Sequence, residues 1–452
     1  MRSCAGLART GRWLLLLLAP SAFGWSNHTL GTYPALAAVP EVAKALPARA
    51  ETIQAFLEAE QGRLAAVLGE EEAWDRAHVP HYPPRPDVLA FRAGGPPQSL
   101  EGRFLAALRV NPRISLALYV QPRFGTDLRG KETLPVGRVT VLETLDLDQS
   151  FVRLSAGEPV APLEVVATAS DEPDYGMDVG LWEDSGTSFG KTYGMGPQPF
   201  GNPRLEYGSQ APLHMGFYHE AAVVYAAAPY LRRTYPEYRV HLFATLARFA
   251  FATGHDYWGW RFAGWGMHYV QDLTQPYHAR VVPGVSAVHL VWAGTLAKLG
   301  IAGPERRLLQ LVTNRHLALE DYEKRLLETV ERAHDDADPV LRALSDRSGD
   351  ARYGPFSPSY LRDTLTEETA GEADATDATL RRWVPARLVD DPSYLFGETE
   401  PGVDVPEAVD ARGPAARQAM RDLLARLLRA FGAHSRVFLA SVIPPARPAK
   451  LQ

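Results

Sequence analysis

Apolar positions along this chain recur mostly at a spacing of three and four, the period of a helix with one buried face. Residues 35–72 carry that pattern in an Ala/Leu/Glu-rich background, and residues 103–110 carry it briefly. Between them, 76–100 is a Pro/Gly-rich connector. Residues 113–120 and 137–145 alternate as strands do and suggest a small hairpin. The Gly- and Pro-rich stretch 176–212 predicts a long loop, and long loops inside a compact domain are usually functional. From 213 to 266 the pattern is strongly helical, and further helices are predicted at 284–299, 304–333 and 414–442. Residues 346–412 read as mixed, acidic and loop-rich. The chain is therefore mainly α, with an irregular, partly β insertion at about 30–170.

The two ends alter this picture. Arg2, Arg9 and Arg12, then the short apolar run Trp13 to Ala19, then Ala22-Phe23-Gly24 have the form of a secretory signal peptide. The expectation is a leader at 1–24, one domain at 25–445 and a tail at 446–452, in a secreted or periplasmic protein. The one cysteine, Cys4, falls in that leader. Disulfides and thiolate metal sites are thereby excluded from the mature chain. The net charge is −6, with 47 basic and 53 acidic residues, and no Lys/Arg run stands out. That balance argues against tight nucleic-acid binding, which rests on neutralised phosphates.

Candidate chemistry concentrates in Met267-His-Tyr-Val-Gln-Asp-Leu-Thr-Gln-Pro-Tyr-His-Ala279. His268 and Asp272 are four apart and share a helix face. Pro276 is expected to end the helix and let His278 bend back to the same pocket. Phe262, Ala263, Trp265, Met267, Tyr269 and Val270 make this helix apolar nearly all round, which predicts burial. A buried Asp and His are costly unless they are paired or bind a metal. His316 and Glu320 repeat the same spacing. Cleavage after Gly24 would expose the Trp25 α-amine, a bidentate ligand with its own carbonyl, and His28 lies three residues on.

The ordered series Trp25, His28, Asp174, His214, H-x3-D-x5-H and H-x3-E resembles the bacterial zinc-dependent phospholipases C, relatives of the single-strand-specific zinc nucleases. The resemblance implies a phospholipase C/nuclease-type helical bundle holding three zinc ions. Asp174, His214, His268 and Asp272 would hold the first, and His278, His316 and Glu320 the second. The Trp25 terminus, His28 and the other oxygen of Asp272 would hold the third. Asp171 and Asp178 lie close to Asp174, and His219 lies close to His214, as competing positions. His241, His255, His289, His334 and His434 match no position of the pattern and read as helix-surface or satisfied core histidines.

The implied reaction is phospholipid hydrolysis on the glycerol side of the phosphate by a zinc-bound hydroxide. Asp174 would orient or deprotonate the water. Tyr175 and Phe217 flank proposed ligands and are candidate substrate contacts, for instance to a choline headgroup. Phospholipid at a peripheral membrane contact is the expected partner, with no stable nucleic-acid complex, and the chain is expected to be monomeric. A nuclease or another zinc phosphoesterase is the alternative. Glu320 and the Gln-Pro-Tyr-His-Ala run lean toward the lipase side of the resemblance.

Overall fold

A computed structural model describes residues 25–95, 99–143 and 149–444. The leader at 1–24 and the tail at 446–452 lie outside the described residues. The fold is mainly helical with two small sheets. Besides a helix at Leu100–Leu108, its helices include α1 (His28–Ala37), α2 (Ile53–His78), α3 (Pro162–Ala169), α4 (Pro236–Thr253), α5 (Asp256–Asp272), α6 (Ala287–Lys298), α7 (Gly303–Arg332), α8 (Thr366–Trp383) and α9 (Pro414–Val442).

Helix α5 is the axis of the molecule. Every residue from Tyr257 to Asp272 is buried, as its all-round apolar sequence predicts. It packs against α4, α3 and α9. The α3 contact depends on Gly264, where an added Cβ would lie 2.7 Å from the Val166 carbonyl oxygen. Gly254, at φ +85, closes α4 in the left-handed conformation and allows the turn into α5. Side-chain caps mark other starts: Thr52 accepts from the Ala55 amide at the head of α2, and Ser286 from the His289 amide at the head of α6.

Several boundaries differ from the sequence reading. The helical stretch expected at 35–72 is broken into α1, a short turn of helix at Pro40–Ala43, the strand Ala48–Arg49 and α2. Helix α2 belongs to the main core: Phe56 packs against Trp258 and Phe262 of α5. The segment 30–170 therefore shares its hydrophobic core with α4 and α5. The expected hairpin of 113–120 with 137–145 does not form among the described residues. Strand β2 (Tyr119–Val120) pairs instead with β4 (Phe151–Arg153), which also pairs with β3 (Thr133–Leu134). Pro135 and Gly137 start a 3-10 turn over Val136–Arg138, and the chain then bonds through Thr140 and Val141 to the Tyr175 carbonyl. A second sheet joins β1 (Ala48–Arg49) to β5 (Pro159–Val160).

No long helix or strand interrupts the loop expected at 176–212; only the short turn Ala211–His214 begins inside it. The stretch read as strongly helical at 213–266 is divided by Pro229, Pro236 and Gly254. In the region read as loop-rich, α8 is an 18-residue helix. Its buried face includes the small residues Ala370 and Ala373, which give a weak periodic signal. Helix α5 ends at Asp272, before Pro276. Pro276 instead opens the next turn, Pro276–Ala279, which Gln275 caps by accepting from the Tyr277 amide.

Candidate metal centre

Five of the singled-out side chains meet at the C-terminal end of α5. His268 and Asp272 project from α5, His28 from the first turn of α1, Asp174 from the 3-10 turn Glu172–Tyr175, and His214 from the turn Ala211–His214. All five are buried. The two Asp272 oxygens face different partners. Oδ1 lies 3.3 Å from His28 Nε2, whereas Oδ2 lies 2.7 Å from His214 Nδ1 and 3.3 Å from His268 Nε2. Asp174 closes the ring, 3.7 Å from His28 Nε2 and 3.6 Å from His268 Nε2. Two groups, His28/His268/Asp272 and Asp174/His214/His268, each bring three ligand atoms within 4.8 Å of one another.

The rings are held by their other nitrogens. His28 Nδ1 bonds the Gln271 side-chain oxygen at 2.8 Å, and His268 Nδ1 bonds the Ser170 carbonyl at 2.8 Å. His214 turns its Nε2 outward to Asp178 Oδ2 at 3.2 Å. Asp178 in turn accepts from Arg239 at 2.5 Å and from the Tyr269 hydroxyl at 2.7 Å. Such outer hydrogen bonds fix which ring nitrogen faces a metal. Several inward atoms have no hydrogen-bond partner although buried: His28 Nε2, Asp174 Oδ2, Asp272 Oδ1 and His278 Nε2. Buried polar atoms are normally satisfied, so this convergence calls for a cation. Imidazole nitrogens and carboxylate oxygens are a donor set suited to zinc.

The second proposed group is looser. His316 Nε2 lies 2.7 Å from Glu320 Oε1, one turn along α7. The His278 ring stands edge-on to that of His316, 5.1 Å between centroids. His278 reaches this position because its Nδ1 bonds the His214 carbonyl at 2.9 Å, while Gly216 bonds the His278 carbonyl in return. Trp25 is fully buried beside the first cluster. Its indole donates to the Gln271 carbonyl and to Thr274 at the end of α5, and His28 follows one turn later.

The competing positions fall away from the centre. Asp171 accepts from the His28 amide, Gln121 and the Tyr175 hydroxyl, and Asp178 supports His214 from behind. His219 bonds the Arg362 carbonyl and Thr366. Tyr175 does not face a substrate opening. It is buried against Phe151 with its hydroxyl on Gln121 and Asp171, so, contrary to the sequence expectation, it is a core residue and not a substrate contact. Phe217 lines an apolar groove that also includes Phe200, Met215, Tyr277, Val312 and His316. Of the histidines outside the pattern, His255 bonds Glu51, and His434 bonds Tyr360 and Glu368.

Charge divides the cluster. Burial works against a charged His28, but contact with Asp272 and the charges of Asp174 and Asp171 outweigh it and raise the ring to about 9. His214 rises to about 10 against burial because Asp178 and Asp272 both contact it. Burial lowers His268 to about 4 and His278 to about 3, helped by the neighbouring imidazoles. Burial and the Asp272 charge push Asp174 well above the usual carboxylate range. A group that sequence reasoning missed is Glu323, one turn beyond Glu320 on α7. Burial raises it to about 8, with the Glu320 charge adding to the shift and His28 opposing it. Its spacing of seven from His316 was the available signal. No family model, no curated protein and no solved structure matches this chain.

Proposed function

We propose that this protein is a secreted, zinc-dependent phosphoric ester hydrolase of the phospholipase C type, acting as a monomer at a membrane surface. The observation that carries the metal reading is the convergence of partnerless buried nitrogens and oxygens on one point. His28, Asp174, His214, His268 and Asp272 would hold zinc, with His278, His316 and Glu320 alongside and the Trp25 terminus as a further donor. Zinc bound there supplies Lewis acidity toward water and phosphate oxygens. The chain's own contribution is positional. Asp272 presents one oxygen to each half of the cluster, Asp178 and Arg239 hold His214, and Asp174 Oδ2 is available to take a proton from the attacking water.

The groove beside His316 favours lipid over nucleic acid. It continues into a second apolar channel through Leu231, Val281 and Leu309, where, among the described residues, Lys298 and Glu305 are the charged lining residues. A surface built to track phosphates would carry a basic stripe. The rim around this channel exposes Val223, Val288, Trp292, Leu299 and Ile301 on and beside α6. Among the described residues no helix is long and apolar enough to cross a membrane, so this rim suits peripheral contact. The test is the zinc-loaded protein on phosphatidylcholine vesicles and on single-stranded RNA. Phosphocholine release is expected. Nucleotide release in its place would favour the nuclease reading, and turnover of neither substrate would overturn the enzyme reading.

A further inference from the structure

A second polar cluster lies away from that centre, in the seam between α2 and α4. Glu71 and Asp75 are four apart on α2 and therefore share a face. Both are buried, at 4% and 1% exposure. His241 faces them from α4, its Nδ1 2.8 Å from Glu71 Oε1. One ligand atom from each of the three lies within 4.8 Å of the other two. Neither Asp75 oxygen has a hydrogen-bond partner, and neither has Glu71 Oε2.

Tyr82 and two of the three Arg109 nitrogens bond elsewhere, and the third, Nε, has no hydrogen-bond partner. The Tyr82 hydroxyl donates to Glu72 at 2.7 Å, and the Arg109 guanidinium donates to the Pro83 carbonyl and to Tyr82. Two buried carboxylates this close repel each other. Burial first, and then the Glu71 charge, raise the Asp75 carboxyl well above its ordinary range despite the Arg109 charge. The His241 ring lies flat on Trp74, 3.5 Å between centroids and 6° between planes, which fixes its orientation. Its side chain remains 25% exposed, so an ion can enter from solvent.

We infer that Glu71, Asp75 and His241 form a separate divalent-cation site that takes zinc and ties α2 to α4. Two carboxylates and an imidazole are a donor set suited to zinc, with water completing the coordination. The chain has no cysteine after Cys4, so no disulfide can fix this seam. Helix α4 packs on α5, which carries His268 and Asp272, so the ion would brace the centre without touching it.

The test compares zinc content of the wild-type chain with Asp75→Asn and His241→Phe after identical loading and desalting. The wild type should retain one ion per chain more than either variant, and the zinc-dependent rise in melting temperature should be smaller in both than in the wild type. Phosphoester turnover should be unchanged. Equal zinc content would overturn the site. The result is a difference between chains, so it holds whether or not the His268 centre binds zinc. Should Asp75→Asn fail to fold, His241→Phe keeps an aromatic ring on Trp74 and carries the comparison. Anomalous scattering at the zinc edge from wild-type crystals gives the direct view. A peak among Glu71, Asp75 and His241 is expected, and clear density there without one overturns the inference.

Discussion

Asp178→Asn changes one atom and should be among the most damaging single substitutions outside the metal ligands. Asp178 and Arg239 are both fully buried, and they pair at 2.5 Å. Asparagine offers one acceptor where Arg239 uses Oδ1 and His214 and Tyr269 share Oδ2, so one side loses its acceptor and the guanidinium loses its counter-charge. Removing one partner of a buried ion pair typically costs about 3–5 kcal/mol. A second route gives a similar size. Burial opposes the Asp178 charge, but Arg239, His214 and Tyr269 together hold its carboxyl at about 2 against an ordinary 3.8. At about 1.4 kcal/mol per unit, that difference corresponds to about 2–3 kcal/mol. Guanidinium unfolding in chelator, at constant slope, should show a loss of about 2–5 kcal/mol with no metal contribution. Arg239→Met should cost a similar amount, and the double variant much less than the sum, because no charge is then stranded. Zinc affinity of Asp178→Asn should fall about 10- to 100-fold through the misoriented His214 ring. A single-variant loss under about 1 kcal/mol, or an additive double variant, would refute this account.

Three further outcomes follow from the same geometry. The Asp178 contribution is fully present above its unfolded value of 3.8 and is lost as pH falls through about 2; acid titration of the unfolding midpoint should show that slope in the wild type and lack it in Asp178→Asn. Gly264→Ala pushes α5 off the Val166 carbonyl and should cost about 1–3 kcal/mol by denaturant melt, with weakened zinc retention because His268 and Asp272 move with the helix. Trp292→Ser, at a half-exposed position on α6, should change stability by no more than about 0.5 kcal/mol yet reduce binding to phosphatidylcholine vesicles measured by sedimentation.

Local pattern determined a large part of this protein. The burial of α5 follows from an apolar sequence on all its sides, and the shared face of His268 and Asp272 follows from their spacing of four. The helices at 284–299, 304–333 and 414–442 are present with bounds that differ by three residues at most. Each of these properties is periodic and short-ranged, so it can be read from neighbours along the chain. What only the tertiary structure decided is which distant residues meet. Asp171, Asp174 and Asp178 are alike as acidic loop residues; the turn over Glu172–Tyr175 sends Asp174 inward, while Arg239, 61 residues beyond Asp178, holds that carboxylate behind His214. Tyr175 flanks a candidate ligand in sequence, but its neighbour's geometry turns it into the core. His241 carried no motif, because its partners Glu71 and Asp75 lie about 170 residues earlier and reach it only when α2 packs on α4. Spacing constrains side chains within one helix, whereas a polar cluster built from several elements is set by packing, which brings together charges that no local pattern relates.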